Sequence, residues 1–168
     1  KAFAVTNAEA FSAYRFLKPG FRLTARADAI APQIEAVLHN AVRVGFEQVT
    51  LNARIDYTIK KAGVFTLRVA LPDGFKIVSV ADDRAPLAWT EKADPRTLEV
   101  ALNERALGAL ALRVQLVRTH QDVPTPLPVA GVVPLGVAKL TGYVSVTAEP
   151  GLALKTAAFD GLTEIPAS

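Results

Sequence analysis

The stretch VTLNARIDYTIKKAGVFTLRVALPDGFKIVSV, residues 49–80, alternates apolar and polar side chains almost without interruption. A period of two residues is typical of a β-strand with one buried face, because successive side chains point to opposite faces of a sheet. The pattern predicts one strand up to residue 59 and a second from residue 65. The residues predicted to point inward are Val49, Leu51, Ala53, Ile55, Tyr57 and Ile59, then Phe65, Leu67, Val69 and Leu71.

The first predicted turn in this stretch is residues 60–63, which end in a glycine. A hairpin at this point allows several registers, and the charges on opposite strands favour one of them. The favoured register sets Asp56 opposite Arg68 and Thr58 opposite Thr66, and each pair contributes about 0.2–1 kcal/mol. We therefore expect Asp56 and Arg68 to form a structural ion pair on a solvated sheet face.

The second predicted turn is formed by Pro72, Asp73 and Gly74. Proline fits the first position of a turn, and glycine readily adopts the left-handed conformation that a three-residue hairpin loop needs. With both turns, residues 49–80 are predicted to form a three-stranded antiparallel meander.

The rest of the chain continues the strand pattern. Residues 33–44 fit either a helix that begins after Pro32 or a strand, and the strand is favoured. Residues 13–17 are expected to form a strand rather than the end of a short helix that starts near Asn7. The other predicted strands are residues 21–29, 87–89, 97–102, 111–117, 142–148 and 152–159.

About ten short strands at regular spacing predict an all-β fold, an antiparallel β-sandwich with at most one short helix. The chain of 168 residues is long enough for one sizeable core, so residues 1–168 are expected to form a single domain. Residues 119–139 interrupt the pattern with closely spaced prolines, and a proline at every second position is incompatible with a central strand. This segment is predicted to be an extended crossover within the domain.

The composition excludes several kinds of chemistry. There is no cysteine, so thiol nucleophiles, cysteine-ligated metals and disulfides are absent. The net charge of +3 is spread along the chain, and strand alternation puts arginines and aromatics on opposite faces, which argues against nucleic-acid binding. No apolar run is long enough to cross a bilayer. The chain begins at Lys1 and has no methionine, so we expect an excised part of a longer protein.

No catalytic or cofactor motif is present in the sequence. None of the serines lies in a Gly-x-Ser-x-Gly elbow, and there is no glycine-rich phosphate loop. His39 and His120 are far apart and lack the spacing of metal ligands. Glu99 and Arg113 are expected to be solvated residues of an outward sheet face. We therefore expect a protein that is not an enzyme and that uses no cofactor or metal.

The loop ADDRAPLAW, residues 81–89, is the best candidate for a ligand site. Asp82, Asp83 and Arg84 precede Trp89, which is the only tryptophan, and charged groups beside an aromatic ring are suited to sugar binding. Two aspartates are also compatible with calcium. The alternative is that Trp89 belongs to the core and the aspartates form a turn, and this alternative is favoured because tryptophan is highly buried on average.

These observations predict a non-catalytic β-sandwich module of a larger bacterial protein that is extracytoplasmic or associated with the cell envelope. The module is expected to be a structural spacer or a protein-interaction domain, with other domains or another protein as partners. The first alternative is a carbohydrate-binding or accessory module of a polysaccharide-active protein. The second alternative is an enzyme fragment whose active site is completed by a domain outside this chain. This assignment depends on the missing catalytic residues and on a fold class that has many functions.

Overall fold

The computed structural model describes residues 14–17 and 19–166, and its regular structure there consists of seven β-strands in one mixed sheet that is not closed. The strand order is β3-β5-β2-β1-β7, and β4 also pairs with β5 while β6 pairs with β2. Only β1 and β7 run parallel. The strands are β1 (Gln33–Val44), β2 (Gln48–Ala70), β3 (Lys76–Asp82), β4 (Ala88–Ala93), β5 (Arg96–Thr119), β6 (Val133–Leu135) and β7 (Lys139–Ala148).

The predicted all-β class is confirmed, whereas a sandwich of about ten antiparallel strands is not. Two pairs of predicted strands are each one continuous strand. Residues 21–29 and 152–159 have no regular structure, and all of them except Leu152 are exposed. Residues 14–17 form no strand either, and the alternative helix near Asn7 lies outside the described residues. Within the described ranges, no helix is long and apolar enough to span a bilayer.

The predicted hairpin at residues 60–63 is wrong, because β2 passes through this segment without reversing. The local glycine allows close approach of β5 instead: a Cβ on Gly63 would lie 2.8 Å from Cγ of Arg105. Lys61 has a φ of 67°, and the β2–β5 register shifts between Ile59 and Val64. The residues that resemble a turn therefore form a bulge, which bends a strand and increases its twist.

The bend brings the two ends of β5 together. Ala70 at the end of β2 is opposite Thr97, and Lys76 at the start of β3 is opposite Val117. A straight β5 would separate these points by about 65 Å, but the connection from residue 70 to residue 76 spans at most about 22 Å. The sheet must therefore fold back on itself, with the long strands β2 and β5 shared by both halves.

The connection between β2 and β3 contacts both ends of β5. Gly74 has a φ of 77°, the left-handed conformation expected at this position. The guanidinium of Arg96 donates to the backbone oxygens of Pro72 and Phe75, and the guanidinium of Arg118 lies 5.0 Å from the centre of the Phe75 ring. The strand that follows pairs with β5 and not with β2, so the predicted meander is wrong.

The core lies on the inner face of the folded sheet, as the alternation predicts. The inward residues of β2 from Val49 to Ile59 are all buried, and Leu67 and Val69 are buried beyond the bend. Phe65 is 62% exposed, so its predicted inward position is wrong. Phe65 lies within the irregular segment between Val64 and Thr66 and has no partner on β5, whereas Leu67 and Val69 beyond it are paired.

Residues 33–44 form a strand, as favoured from the sequence, and their even positions face the core. The buried polar side chain in this row is Asn40. Its Nδ2 donates to the backbone oxygen of Val132 at 3.3 Å, and the amide of Val132 donates to its Oδ1 at 3.2 Å. A Cβ on Gly131 would lie 2.2 Å from Nδ2. Asn40 thus fixes the proline-rich segment on the sheet.

We predict that Asn40→Ala lowers the free energy of unfolding by about 1–3 kcal/mol, because the backbone groups of Val132 lose their buried partner. Gly131→Ala should also destabilise, but less in the Asn40→Ala background, where the colliding amide is gone. Urea unfolding of the four proteins gives the coupling, expected at about 0.5–3 kcal/mol. Additive effects would contradict this contact, and Asn52→Ala on the solvated face is the matched control.

Candidate functional site

The charged residues of the predicted ligand loop all have partners within the protein, either in the loop itself or on β5. Oδ1 of Asp82 accepts hydrogen bonds from the backbone amides of Arg84 and Ala85, both at 2.7 Å. The bonds from Ala85 and then Arg84 lower the pKa of Asp82. Asp83 forms an ion pair with Arg113 at 2.6 Å, and Arg84 contacts Glu104 at 3.4 Å. Asp82 therefore stabilises a turn, and all three residues have protein partners.

Trp89 and Asp82 pair with different parts of the sheet. Trp89 is on the edge strand β4 opposite Val100, whereas Asp82 lies opposite Leu112 in the other half of β5. The tryptophan is 42% exposed and faces the same side as Val100, at the margin of the core. Its ring is available to a ligand, but Trp89 and Asp82 lie opposite residues in different halves of β5.

The predicted ion pair between Asp56 and Arg68 does not form. Both residues lie on β2, twelve positions apart, so they cannot be opposite one another. Asp56 pairs with Arg54, with 2.9 Å between Nη2 and Oδ1. Arg68 lies directly opposite Glu99, whose pKa is lowered first by a hydrogen bond from Lys92 and also by the charge of Arg68. The predicted register is wrong because the chain does not reverse at residues 60–63.

We predict that a double-mutant cycle of Arg68→Gln and Glu99→Gln gives a coupling of about 0.2–1 kcal/mol in the free energy of unfolding. The cycle of Arg68→Gln with Asp56→Asn should be additive to within about 0.5 kcal/mol, because these sites share no partner. Thermal unfolding at low salt measures both cycles. A coupling between Asp56 and Arg68, without a coupling between Arg68 and Glu99, would contradict this structure and support the predicted hairpin register.

A row of large polar and aromatic side chains crosses the outer face of the sheet. Tyr143 of β7 lies opposite His39 of β1, and their rings stack with centroids 5.0 Å apart. His39 lies opposite Arg54 of β2, which lies opposite Arg113 of β5. Four adjacent strands thus contribute to this outer row, defined as Tyr143, His39, Arg54 and Arg113.

The two arginines of the outer row are directly opposed, an arrangement that destabilises a sheet unless the charges have partners. Asp56 forms an ion pair with Arg54, and Asp83 forms an ion pair with Arg113. Asp56 raises the pKa of Arg54, mainly through its hydrogen bond. Because a guanidinium has five N–H donors, both arginines keep donors for another acceptor while their partners fix their positions.

A shallow depression of about 400 Å³ lies along the outer row. The small side chains of Ala41 and Ala81 leave space between the larger ones. Asn52 and Gln115 lie opposite one another in the adjacent row, and Oγ of Ser79 donates to Oε1 of Gln115 at 3.4 Å. The lining is His39, Ala41, Asn52, Ala53, Arg54, Ser79, Ala81, Arg113, Val114 and Gln115.

The sequence interpretation missed this outer row. Arg113 was correctly expected on an outward polar face, and that face was interpreted as solvated without a further role. The strand order, which brings β7 beside β1 and β5 beside β2, unites residues from distant parts of the chain. The only signal in the sequence was the dense polar series Asn52, Arg54 and Asp56 on one face of β2.

A second surface of interest is formed by β7 at the end of the sheet. One side of β7 pairs with β1, and no described strand pairs with its other side. Leu140, Val144 and Val146 share the face of the buried β1 residues but are 39–42% exposed. We call these three residues and the free strand edge beside them the β7 surface. These side chains extend the core face of the sheet into a region that is exposed to solvent.

Two buried polar groups lack a hydrogen-bond partner within the described part of the chain. The hydroxyl of Tyr57 lies in the core, and burial raises its pKa. Both ring nitrogens of His120 are unpaired, while its backbone amide donates to the oxygen of Glu47 at 2.9 Å. No three His, Cys, Asp or Glu side chains of the described residues converge in a way that could hold a metal ion.

No protein-family model matches the chain, and no curated protein matches it. Similar solved structures include a mutant M1 zinc metallopeptidase from Deinococcus radiodurans, with a TM-score of 0.42, 13% identity, and coverage of 58% of this chain and 23% of the peptidase. A leukotriene A4 hydrolase from Saccharomyces cerevisiae has a TM-score of 0.41, 13% identity and coverage of 51% and 15%. The chain thus spans less than a quarter of either enzyme.

A non-cellulosomal cohesin from Archaeoglobus fulgidus is similar over more of its own length. Its TM-score is 0.36 at 11% identity, and the match covers 68% of this chain and 91% of the cohesin. None of these TM-scores reaches 0.5, so neither a peptidase function nor a cohesin function is transferred to this chain.

Proposed function

We propose that the chain is a non-catalytic β module of a larger bacterial extracytoplasmic protein, and that it acts as an interaction domain through the β7 surface. The observation that carries this proposal is the exposure of Leu140, Val144 and Val146 on the core face of a strand with a free edge. An apolar strand edge is a template for pairing with another chain, and proteins that do not use such an edge protect it with charges or bulges.

The sequence of β7 lacks that protection. In its ten residues, KLTGYVSVTA, the single charge is Lys139 at the start, and there is no proline. Its register with β1 is regular from Glu35 opposite Lys139 to Val44 opposite Ala148. A regular, uncharged edge of this length supports the addition of a partner strand, whose backbone would supply affinity while the apolar side chains supply specificity.

Hydrogen exchange of β7 tests this proposal. We expect the outward amides of β7 to exchange at least about tenfold more slowly in the full product of the gene at about 100 μM than in the 168-residue chain at nanomolar concentration, because a docked strand closes them. Val144→Lys with Val146→Lys should remove this protection, whereas Thr141→Lys with Ser145→Lys on the opposite face should not. Equally fast exchange in both proteins would contradict the proposal.

Carbohydrate binding is a second candidate function, favoured by the outer row and not by the predicted loop. The two positioned guanidiniums suit the carboxylates of an acidic polysaccharide, and the amides of Asn52 and Gln115 suit hydroxyl groups. The stacked rings of His39 and Tyr143 provide an apolar wall at one end. A peptide would engage the free edge more readily than this face, because peptides that bind sheets use edge hydrogen bonds.

We predict that polygalacturonate binds this depression and that neutral dextran does not. Arg113→Met should weaken binding at least about tenfold, because a charge-assisted hydrogen bond contributes about 1.5–3 kcal/mol. Calorimetric titration measures the affinity, and Arg68→Met is the matched control, since Arg68 lies beyond the bend of β2. No binding, or equal binding by both variants, would remove this candidate and leave the outer row as a structural ion-pair network.

A further inference from the structure

A strand-like arm precedes the sheet without joining it. Residues 21–29, FRLTARADA, alternate apolar and polar side chains as a strand does. They form no strand, and Phe21 and Leu23 are 66% and 61% exposed. The outward side chains Arg26 and Asp28 pair with each other at 3.0 Å. On the apolar side the Phe21 ring stacks on Phe16 with centroids 4.6 Å apart, whereas Leu23, Ala25 and Ala27 are exposed. We call residues 21–29 the arm.

The arm and the β7 surface match in length and in position. The arm has nine residues and β7 has ten. Three residues separate the arm from Gln33, the first residue of β1. β1 pairs with β2 on one side and with β7 on the other. The arm therefore leaves the fold beside the end of the sheet where the free edge lies.

The three residues between the arm and β1 favour an arm that extends away from its own sheet. The residues between the arm and β1 are Ile30, Ala31 and Pro32. A residue before proline is restricted to extended conformations, so Ala31 favours a chain that continues straight over one that reverses onto β7 of the same molecule. Short, stiff hinges favour exchange of an element between copies.

We infer that the arm of one copy pairs with the β7 edge of a second copy, and that the arm of the second copy pairs with the β7 edge of the first. The apolar side of the arm covers Leu140, Val144 and Val146, and Arg22 and Arg26 remain in water. The exchange gives a symmetric dimer in which each edge is closed by a strand. This inference depends on the proposed function of the β7 surface, for which it names the partner.

Sedimentation of the intact 168-residue chain from about 1 to 100 μM tests this inference. We expect a concentration-dependent dimer whose dissociation constant rises at least tenfold in Leu23→Asp, which puts a charge on the apolar side of the arm. Thr24→Asp, its neighbour on the polar side, should keep the dimer. Neither residue packs in the core, so the monomer remains folded in both variants. A monomer at all concentrations, or a dimer that Leu23→Asp leaves unchanged, would overturn the inference.

A cysteine pairing experiment identifies the contact, since the chain has no cysteine of its own. One chain with Ala25→Cys is mixed with a second chain with Val144→Cys and mildly oxidised. A covalent heterodimer formed faster than with Thr24→Cys is expected, and equal rates would contradict the pairing. If β7 is protected in the full gene product but the arm variants change nothing, the proposed function stands and the arm inference fails. If β7 is unprotected, both fail.

Discussion

The bend shared by β2 and β5 is the constraint on which the rest of the structure depends. Both strands are more than twenty residues long, and a straight sheet of that length could not bury its apolar face. Because the short connection after Ala70 must reach the far end of β5, the two halves of the sheet close over one core. Gly63 and the contacts of Phe75 with Arg96 and Arg118 make this closure possible.

Closure by two shared strands determines which surfaces stay open. The inner face is filled where the halves overlap, and Asn40 fixes the proline-rich segment over part of the remainder. β7 lies at the end of the strand order and keeps its inner side chains exposed. On the outer face, the register of β7, β1, β2 and β5 places the polar side chains of the outer row side by side. Both candidate interaction sites are therefore consequences of one strand order.

The sequence predicted what depends on neighbouring residues and missed what depends on long-range pairing. Alternation identified the buried face of residues 49–59 and the strand at residues 33–44, and the turn residues Pro72, Asp73 and Gly74 identified the left-handed Gly74. It could not distinguish a turn from a bulge at residues 60–63, because lysine and glycine suit both, and the Asp56–Arg68 pair failed with that choice. The loop at Asp82 was proposed as a ligand site from its residue types alone, without knowledge of their partners. The outer row depends on the order of β7, β1, β2 and β5, which no local pattern specifies.

The separation of the two ends of β5 tests the fold-back most directly. Spin labels on Asp94→Cys and Gln121→Cys, both exposed and just outside β5, report this distance by pulsed electron resonance in a chain that has no other cysteine. A folded-back sheet predicts a single distance below roughly 35 Å, given the short connection that both ends contact. A distance near 80 Å, as expected for a straight strand of this length, would contradict the account.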